Sequence, residues 1–239
     1  MTTAPPLVGV AHGSRDPRSA ATVAELMDVV RARHPELDVR TAFLDLSAPR
    51  LRDVLGGVTS AVVVPLLLGH AYHARVDVPG EVARSGRPGV LVTDVLGPAV
   101  EAAALDRLAA VAGPLDDPAL GVVLAGVGSS HAPANAVVAA AAAEWRDRFG
   151  WAGARAAFAT AEPSVTDAIA QLRAAGARRI AVAQWVLAPG LLPDRIARAA
   201  AAAGAVVGEP LGAHPAVADL VVARYRETLA RERVRRRAG

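Results

Sequence analysis

Val10-Ala11-His12-Gly13-Ser14 returns 115 residues later as Ala125-Gly126-Val127-Gly128-Ser129. Ala42-Phe43 returns as Ala157-Phe158, and Leu96-Gly97 as Leu211-Gly212, at that same offset. Unrelated segments rarely keep one offset across three motifs, so the chain reads as an internal duplication. Each copy alternates short apolar runs with longer Ala-rich segments. The first has strand-like runs at 7–11, 39–44, 61–68 and 90–95, with helix patterns at 19–33, 49–55, 78–84 and 98–112. The second has strand-like runs at 120–126, 154–158, 180–186 and 205–207, with helix patterns at 133–148, 165–174, 192–203 and 215–235. Near-continuous apolar strands separated by helices predict an α/β protein whose parallel sheets are covered on both faces. Gly113-Pro114-Leu115-Asp116-Asp117-Pro118 has the composition of a linker. The expected lobes are therefore 1–114 and 119–239.

Composition limits the remaining choices. With 53% hydrophobic but only 3% aromatic residues, the core must come mostly from Ala, Val and Leu. The 239 residues suffice for two cores near the common domain size. The absence of cysteine excludes disulfides, thiolate catalysis and Cys-ligated metal. No stretch has the roughly 18 apolar residues of a membrane span, and the first residues lack the pattern of a signal peptide. The expectation is a cytoplasmic protein with no membrane partner. All 26 Lys and Arg positions are Arg, and Arg231, Arg233, Arg235, Arg236 and Arg237 cluster at the end of the last helix pattern and just past it. Without interleaved aromatic residues for stacking, that run reads as a solvated helix end and no nucleic-acid partner is expected.

The two copies differ in chemistry. His12 stands where the second copy has Val127, and Gly69-His70-Ala71-Tyr72-His73-Ala74-Arg75 has no histidine-bearing counterpart. Ligands of open parallel α/β sheets bind outside the carboxyl ends of the strands. His12 follows the first strand, and His70 and His73 follow the third, so all three are expected on that edge of the first lobe. Convergent imidazoles there point to a metal. Asp45, after the second strand, and Asp77 supply carboxylates able to orient an imidazole or take a proton. Asp77 reads equally as a helix N-terminal acid, and His70 as a packing or second-layer residue. His34 reads as a helix-end histidine, and His214 as part of a capping turn. His131, four residues past the position equivalent to His12, is the remaining rim histidine. The dinucleotide fingerprint and the Gly-x-Ser-x-Gly elbow are both absent, which argues against a nucleotide-dependent enzyme or an acyl-transfer hydrolase built on Ser14.

The strand leading into His12-Gly13-Ser14-Arg15 resembles the first signature of the sirohydrochlorin chelatase family. Phe43-Leu44-Asp45 with Pro49 resembles the second, with Asp where the family usually has Glu. Val64-Pro65-Leu66-Leu67-Leu68, then His73 and Asp77-Val78-Pro79, resembles the third. The likeness continues into the second half as the degenerate copy of the long, fused form. It implies two flavodoxin-like lobes of parallel sheet. It also implies insertion of a divalent metal (Co2+, Fe2+ or Ni2+) into a tetrapyrrole, with His12 and His73 as metal-handling and catalytic residues and Asp45 as their acidic partner. The metal would be a substrate, and no organic cofactor is expected. Ser14, Arg15, Arg75 and His70 would face the substrate, with Arg15, Arg18 and Arg75 placed to pair with its carboxylates. A non-catalytic metal or tetrapyrrole carrier would use the same histidines. Because one chain holds both copies, a monomer is expected.

Overall fold

The computed structural model describes residues 4–69 and 76–238. The first half builds β1 (Leu7–Ala11), α1 (Pro17–Arg33), β2 (Val39–Phe43), α2 (Leu51–Gly56), β3 (Ser60–Pro65), α3 (Val78–Arg84) and β4 (Gly89–Val92). After a short 3-10 turn at Gly97–Val100 come α4 (Glu101–Ala112), β5 (Leu120–Gly126), α5 (Ala132–Phe149), β6 (Gly153–Phe158), α6 (Val165–Ala174), β7 (Arg179–Gln184), α7 (Leu191–Ala202), β8 (Val206–Val207) and α8 (Pro215–Ala238). The strands form two four-stranded sheets, ordered β2-β1-β3-β4 and β6-β5-β7-β8. Every pairing is parallel. The duplicated α/β architecture expected from the repeat is therefore present.

Both faces of each sheet are buried, which is why the strands are apolar throughout and do not alternate. On one face of the first sheet, Val8, Val10, Ala42, Ala61, Val63 and Val90 pack with Leu51 and Leu55 of α2 and Val78 of α3. α1 covers the other face, burying Val23, Leu26, Met27 and Val30. Gly9 makes that approach possible, because a Cβ there would lie 2.5 Å from Met27 Sδ. In the second sheet, Val123, Ala125, Ile180 and Val182 pack against Ile169 and Leu172 of α6 and Ile196 and Ala200 of α7. All three tryptophans belong to this lobe. Trp145 meets Trp151 and Trp185 edge to face, each pair 6.2 Å apart between centroids.

The compact units differ from the expected division at 114/119. One unit runs to Ala99 and resumes at Gly212, and the other is Val100–Leu211. α4 follows the first sheet in sequence but packs on β7 and β8, while α8 follows the second sheet but packs on α1 and β3. Each lobe is thus completed by the other copy's last helix. The Gly113–Pro118 stretch joins α4 to β5 inside the second unit rather than separating two lobes. The chain turns at the start of each excursion on a glycine with positive φ, Gly97 (62°) and Gly212 (59°), a conformation open to glycine because it lacks Cβ. Arginines fasten the arriving helices. Arg224 of α8 donates to the carbonyls of Val95 (3.0 Å) and Leu96 (3.3 Å), and Arg107 of α4 to that of Leu211 (3.3 Å). Tyr225 of α8 is buried and donates to the Pro5 carbonyl at 2.7 Å.

Several strands end sooner than the sequence pattern suggests, β3 and β4 by the most. β3 stops at Pro65 and β4 at Val92, although the apolar runs continue to 68 and 95. The first residue past each still donates to its neighbour, Leu66 N to Val10 O and Thr93 N to Val63 O. Beyond them the apolar side chains line loops at the carboxyl edge.

Candidate functional site

His12 stands immediately past β1, at the carboxyl edge of the first sheet. It is half-buried, with its ring Nδ1 shielded from solvent. What fixes it is the meeting of two turns. Asp45 N donates to the His12 carbonyl at 2.8 Å, and Leu44 N to that of Ala11 at 3.0 Å, so the ladder between β1 and β2 runs on past both strands. Gly13 has φ +94°, and a Cβ on it would sit 1.7 Å from the Asp45 carbonyl oxygen. Only glycine fits there, and it lets the turn after β1 lie against the turn after β2. Ser47 closes the junction, its Oγ accepting from Ser14 N and donating to Ser14 O, both at 3.1 Å. Ser14 Oγ accepts from Asp16 N at 3.0 Å, and the Asp16 side chain caps α1 by accepting from Arg18 N.

Asp45 is held by an arginine that sequence reasoning did not single out. Arg50 Nη1 lies 2.5 Å from the Asp45 carboxylate and also donates to the Leu44 carbonyl at 3.0 Å. The Arg50 hydrogen bond is the main cause that holds the Asp45 carboxyl below its ordinary range. The Leu46 backbone N–H adds to it, with a smaller electrostatic contribution from the nearby His12. An acid so stabilised is a carboxylate at neutral pH, and a proton acceptor only of a weak kind. Its position beside His12 suits it to electrostatic work on that imidazole.

Between Asp45 and Ser47 the chain makes a three-residue turn closed by Ser47 N to Asp45 O at 2.7 Å, with Leu46 at its centre. Leu46 has φ +61° and is, among the described residues, the one non-glycine residue with positive φ. A bulky residue held there costs on the order of 1–3 kcal/mol, and such strain is kept where surrounding structure over-determines it. Here the clasps of Ser47 and Arg50 do so.

Arg15 is exposed and makes no ion pair among the described residues. Arg18 lies 2.5 Å from Asp16, so part of its charge is already answered within the lobe, and the pair lowers the Asp16 carboxyl below its ordinary range. Asp77 occupies the N-cap position of α3, as a helix N-terminal acid would, without a side-chain cap bond. Asp94, two residues past β4, is an exposed acid on the same edge that the sequence reading passed over. His70, His73 and Arg75 lie outside the described residues. Among the described residues, no group of three or more His, Asp or Glu is placed to hold a metal ion.

Of the remaining histidines, His34 ends α1 and lies 3.5 Å from Glu36, and His214 accepts from Ala216 N to cap α8, as its sequence context suggests. His131 is exposed at the N-cap position of α5, past the first strand of the second sheet. The missed residues Ser47 and Arg50 had no local motif to mark them. The available signal was their place in the same strand-end turn as Asp45.

The comparisons with known proteins agree with this architecture. The CbiX family model matches residues 6–110 and 121–228, taking in both copies of the repeat. A curated relative, the sirohydrochlorin cobaltochelatase of Methanosarcina acetivorans, is 29% identical over 85 residues, 34% of this chain and 65% of the relative. The corresponding protein of Methanopyrus kandleri is 32% identical over 78 residues, 30% of this chain and 54% of the relative. The chain thus spans somewhat under two thirds of the curated relatives it matches. Among solved structures, SirB from Bacillus subtilis with Fe3+ superposes with a TM-score of 0.78 over 95% of this chain and 96% of that one, at 24% identity. The cobalt complex of the sirohydrochlorin chelatase SirB from Bacillus subtilis subspecies spizizenii gives 0.74 over 93% and 94%, again at 24%.

Proposed function

Because the chain belongs to the CbiX family, we propose that it inserts a divalent metal ion, Co2+, Fe2+ or Ni2+, into sirohydrochlorin with release of two protons. The observation that carries this reading is the placement of His12. A half-buried imidazole sits at the ligand-binding edge of a parallel sheet, and its backbone is pinned to that of an ionised Asp45.

Insertion must strip water from the ion, bring the ion to the macrocycle and remove two pyrrole protons. Imidazole binds these ions, and a site with few protein ligands can release them again. It also titrates near neutrality, so it can carry a proton away. In this reading His12 and His73 hold the incoming ion and take protons, while Asp45 favours the charged imidazole. Ser14, Arg15, Arg75 and His70 face the substrate, with the two arginines meeting its carboxylates. The chemistry is ligand exchange and proton transfer, so it calls for no organic cofactor. A chain already holding both copies of the repeat is proposed to act as a monomer, in the cytoplasm.

The test is incubation of purified protein with sirohydrochlorin and each metal in turn, following the absorbance change against a protein-free blank. The expected result is a protein-dependent rate that falls about 100-fold or more in His73→Ala. A wild-type rate equal to the blank for all three metals would remove the proposal. Stoichiometric metal or tetrapyrrole binding without turnover would instead identify a carrier.

A further inference from the structure

Leu46 is a large apolar side chain left 44% exposed at the carboxyl edge, one residue from Asp45. Its backbone is in a left-handed conformation that leucine rarely adopts, and three clasps keep it there. The Asp45 carbonyl accepts from Ser47 N at 2.7 Å, Ser47 Oγ grips both backbone groups of Ser14, and Arg50 binds Asp45 and the Leu44 carbonyl. A turn serving only to join β2 to α2 would carry Gly or Asn at such a position, at no conformational cost.

The duplicated lobe supplies the control. Pro49 corresponds to Pro163, so the second lobe's turn is one residue shorter, and neither Ala161 nor Glu162 within it has a positive φ. Asp45 corresponds to Thr160, whose hydroxyl turns inward to the Val127 carbonyl at 2.9 Å. The second lobe joins the equivalent strand and helix with one residue fewer and without an exposed leucine, so the fold does not require the longer turn that carries Leu46.

We infer that Leu46 is a binding residue for the tetrapyrrole, an apolar knob that packs on the face of the macrocycle beside His12. This inference rests on the function proposed above and extends it to a residue that no motif marks. The surroundings suit such a ligand. Sirohydrochlorin joins a flat, apolar ring to a rim of carboxylates, and an unpaired Asp45 would repel that rim. Arg50 neutralises Asp45 at 2.5 Å, so the knob is flanked by a pair with no net charge. The unpaired Arg15 stands on the same edge for the carboxylates.

The experiment measures sirohydrochlorin affinity by absorbance titration of the metal-free system, and Co2+ affinity and melting temperature separately, in wild type, Leu46→Ala, Leu46→Gly and Leu46→Met. Losing a half-exposed leucine contact corresponds to about 5- to 10-fold weaker tetrapyrrole binding in the Ala and Gly variants. Co2+ affinity should be unchanged, and Met should retain most of the wild-type tetrapyrrole affinity. Leu46→Gly should melt no lower than wild type, because it relieves the backbone while removing the contact. Tetrapyrrole affinity within twofold of wild type in both Ala and Gly variants would overturn the inference while leaving the chelatase reading intact. Wild-type protein that bound no sirohydrochlorin would overturn both.

Discussion

The turn after the first strand is built twice in this molecule, with nearly one backbone and two different chemistries. Gly13 and Gly128 have φ of +94° and +89°. Asp45 N reaches His12 O at 2.8 Å, and Thr160 N reaches Val127 O at 3.0 Å. Phe43 N and Phe158 N each donate at 2.9 Å, to Pro49 O and Pro163 O. Yet where the first lobe presents His12 and Asp45 and has a turn one residue longer that carries Leu46, the second presents Val127 and Thr160 and a shorter turn. At the end of its third strand it holds Gln184, buried and donating to the Gly208 carbonyl at 3.0 Å. The difference separates what the fold needs from what the proposed site adds. Glycine, the carbonyl pairing and the proline turn recur in both rims and belong to the fold, whereas an imidazole directly after the first strand, the paired carboxylate and the strained leucine occur in one.

The largest expected effect that sharpens this contrast comes from the glycines. Gly13→Ala puts a Cβ 1.7 Å from a backbone oxygen, whereas Gly128→Ala meets Phe158 Cβ at 2.9 Å and Thr160 Oγ1 at 3.0 Å. Gly13→Ala should cost on the order of 3 kcal/mol and abolish insertion, because the turn carrying His12 must move. Gly128→Ala should cost about 1–2 kcal/mol for its positive φ and spare the activity of the folded protein. Chemical denaturation of both variants, with insertion rates, checks this. Equal losses of activity would break the assignment of chemistry to one rim.

A smaller effect is expected at Arg50. Its hydrogen bond is the main cause lowering the Asp45 carboxyl below its ordinary value of 3.8. A depressed folded value means that the pair contributes stability above the unfolded value, lost as pH falls through the folded one. Arg50→Ala should therefore move the Asp45 titration, followed by carboxyl-carbon NMR, back toward 3.8 and flatten the acid limb of stability against pH. An Asp45 titration unchanged by the substitution would show that the ion pair seen here is not what holds the carboxyl down.

Much of the fold could be read from the chain, since β1 and α3 lie where the apolar runs and helix patterns place them and the duplication is real. The exchange of α4 and α8 could not be read, because a local pattern marks a helix's apolar face without naming the sheet it will cover. In the candidate site, the strand-end placement of His12 and Asp45 was legible. Ser47 and Arg50 were not, since their value lies in bonds formed only after folding, such as the grip of Ser47 on Ser14 across 33 residues. Leu46 was hidden for a different reason: positive φ at a non-glycine residue has no local signature.

The central claim is that metal insertion belongs to the rim of the first lobe. The most direct test compares initial insertion rates of His12→Ala and His131→Ala with wild type, under one set of metal and sirohydrochlorin concentrations. The account predicts His12→Ala at the protein-free rate and His131→Ala within about twofold of wild type, since general acid–base and ligand roles are worth about 100-fold or more. Loss of rate in His131→Ala with His12→Ala still active would contradict it.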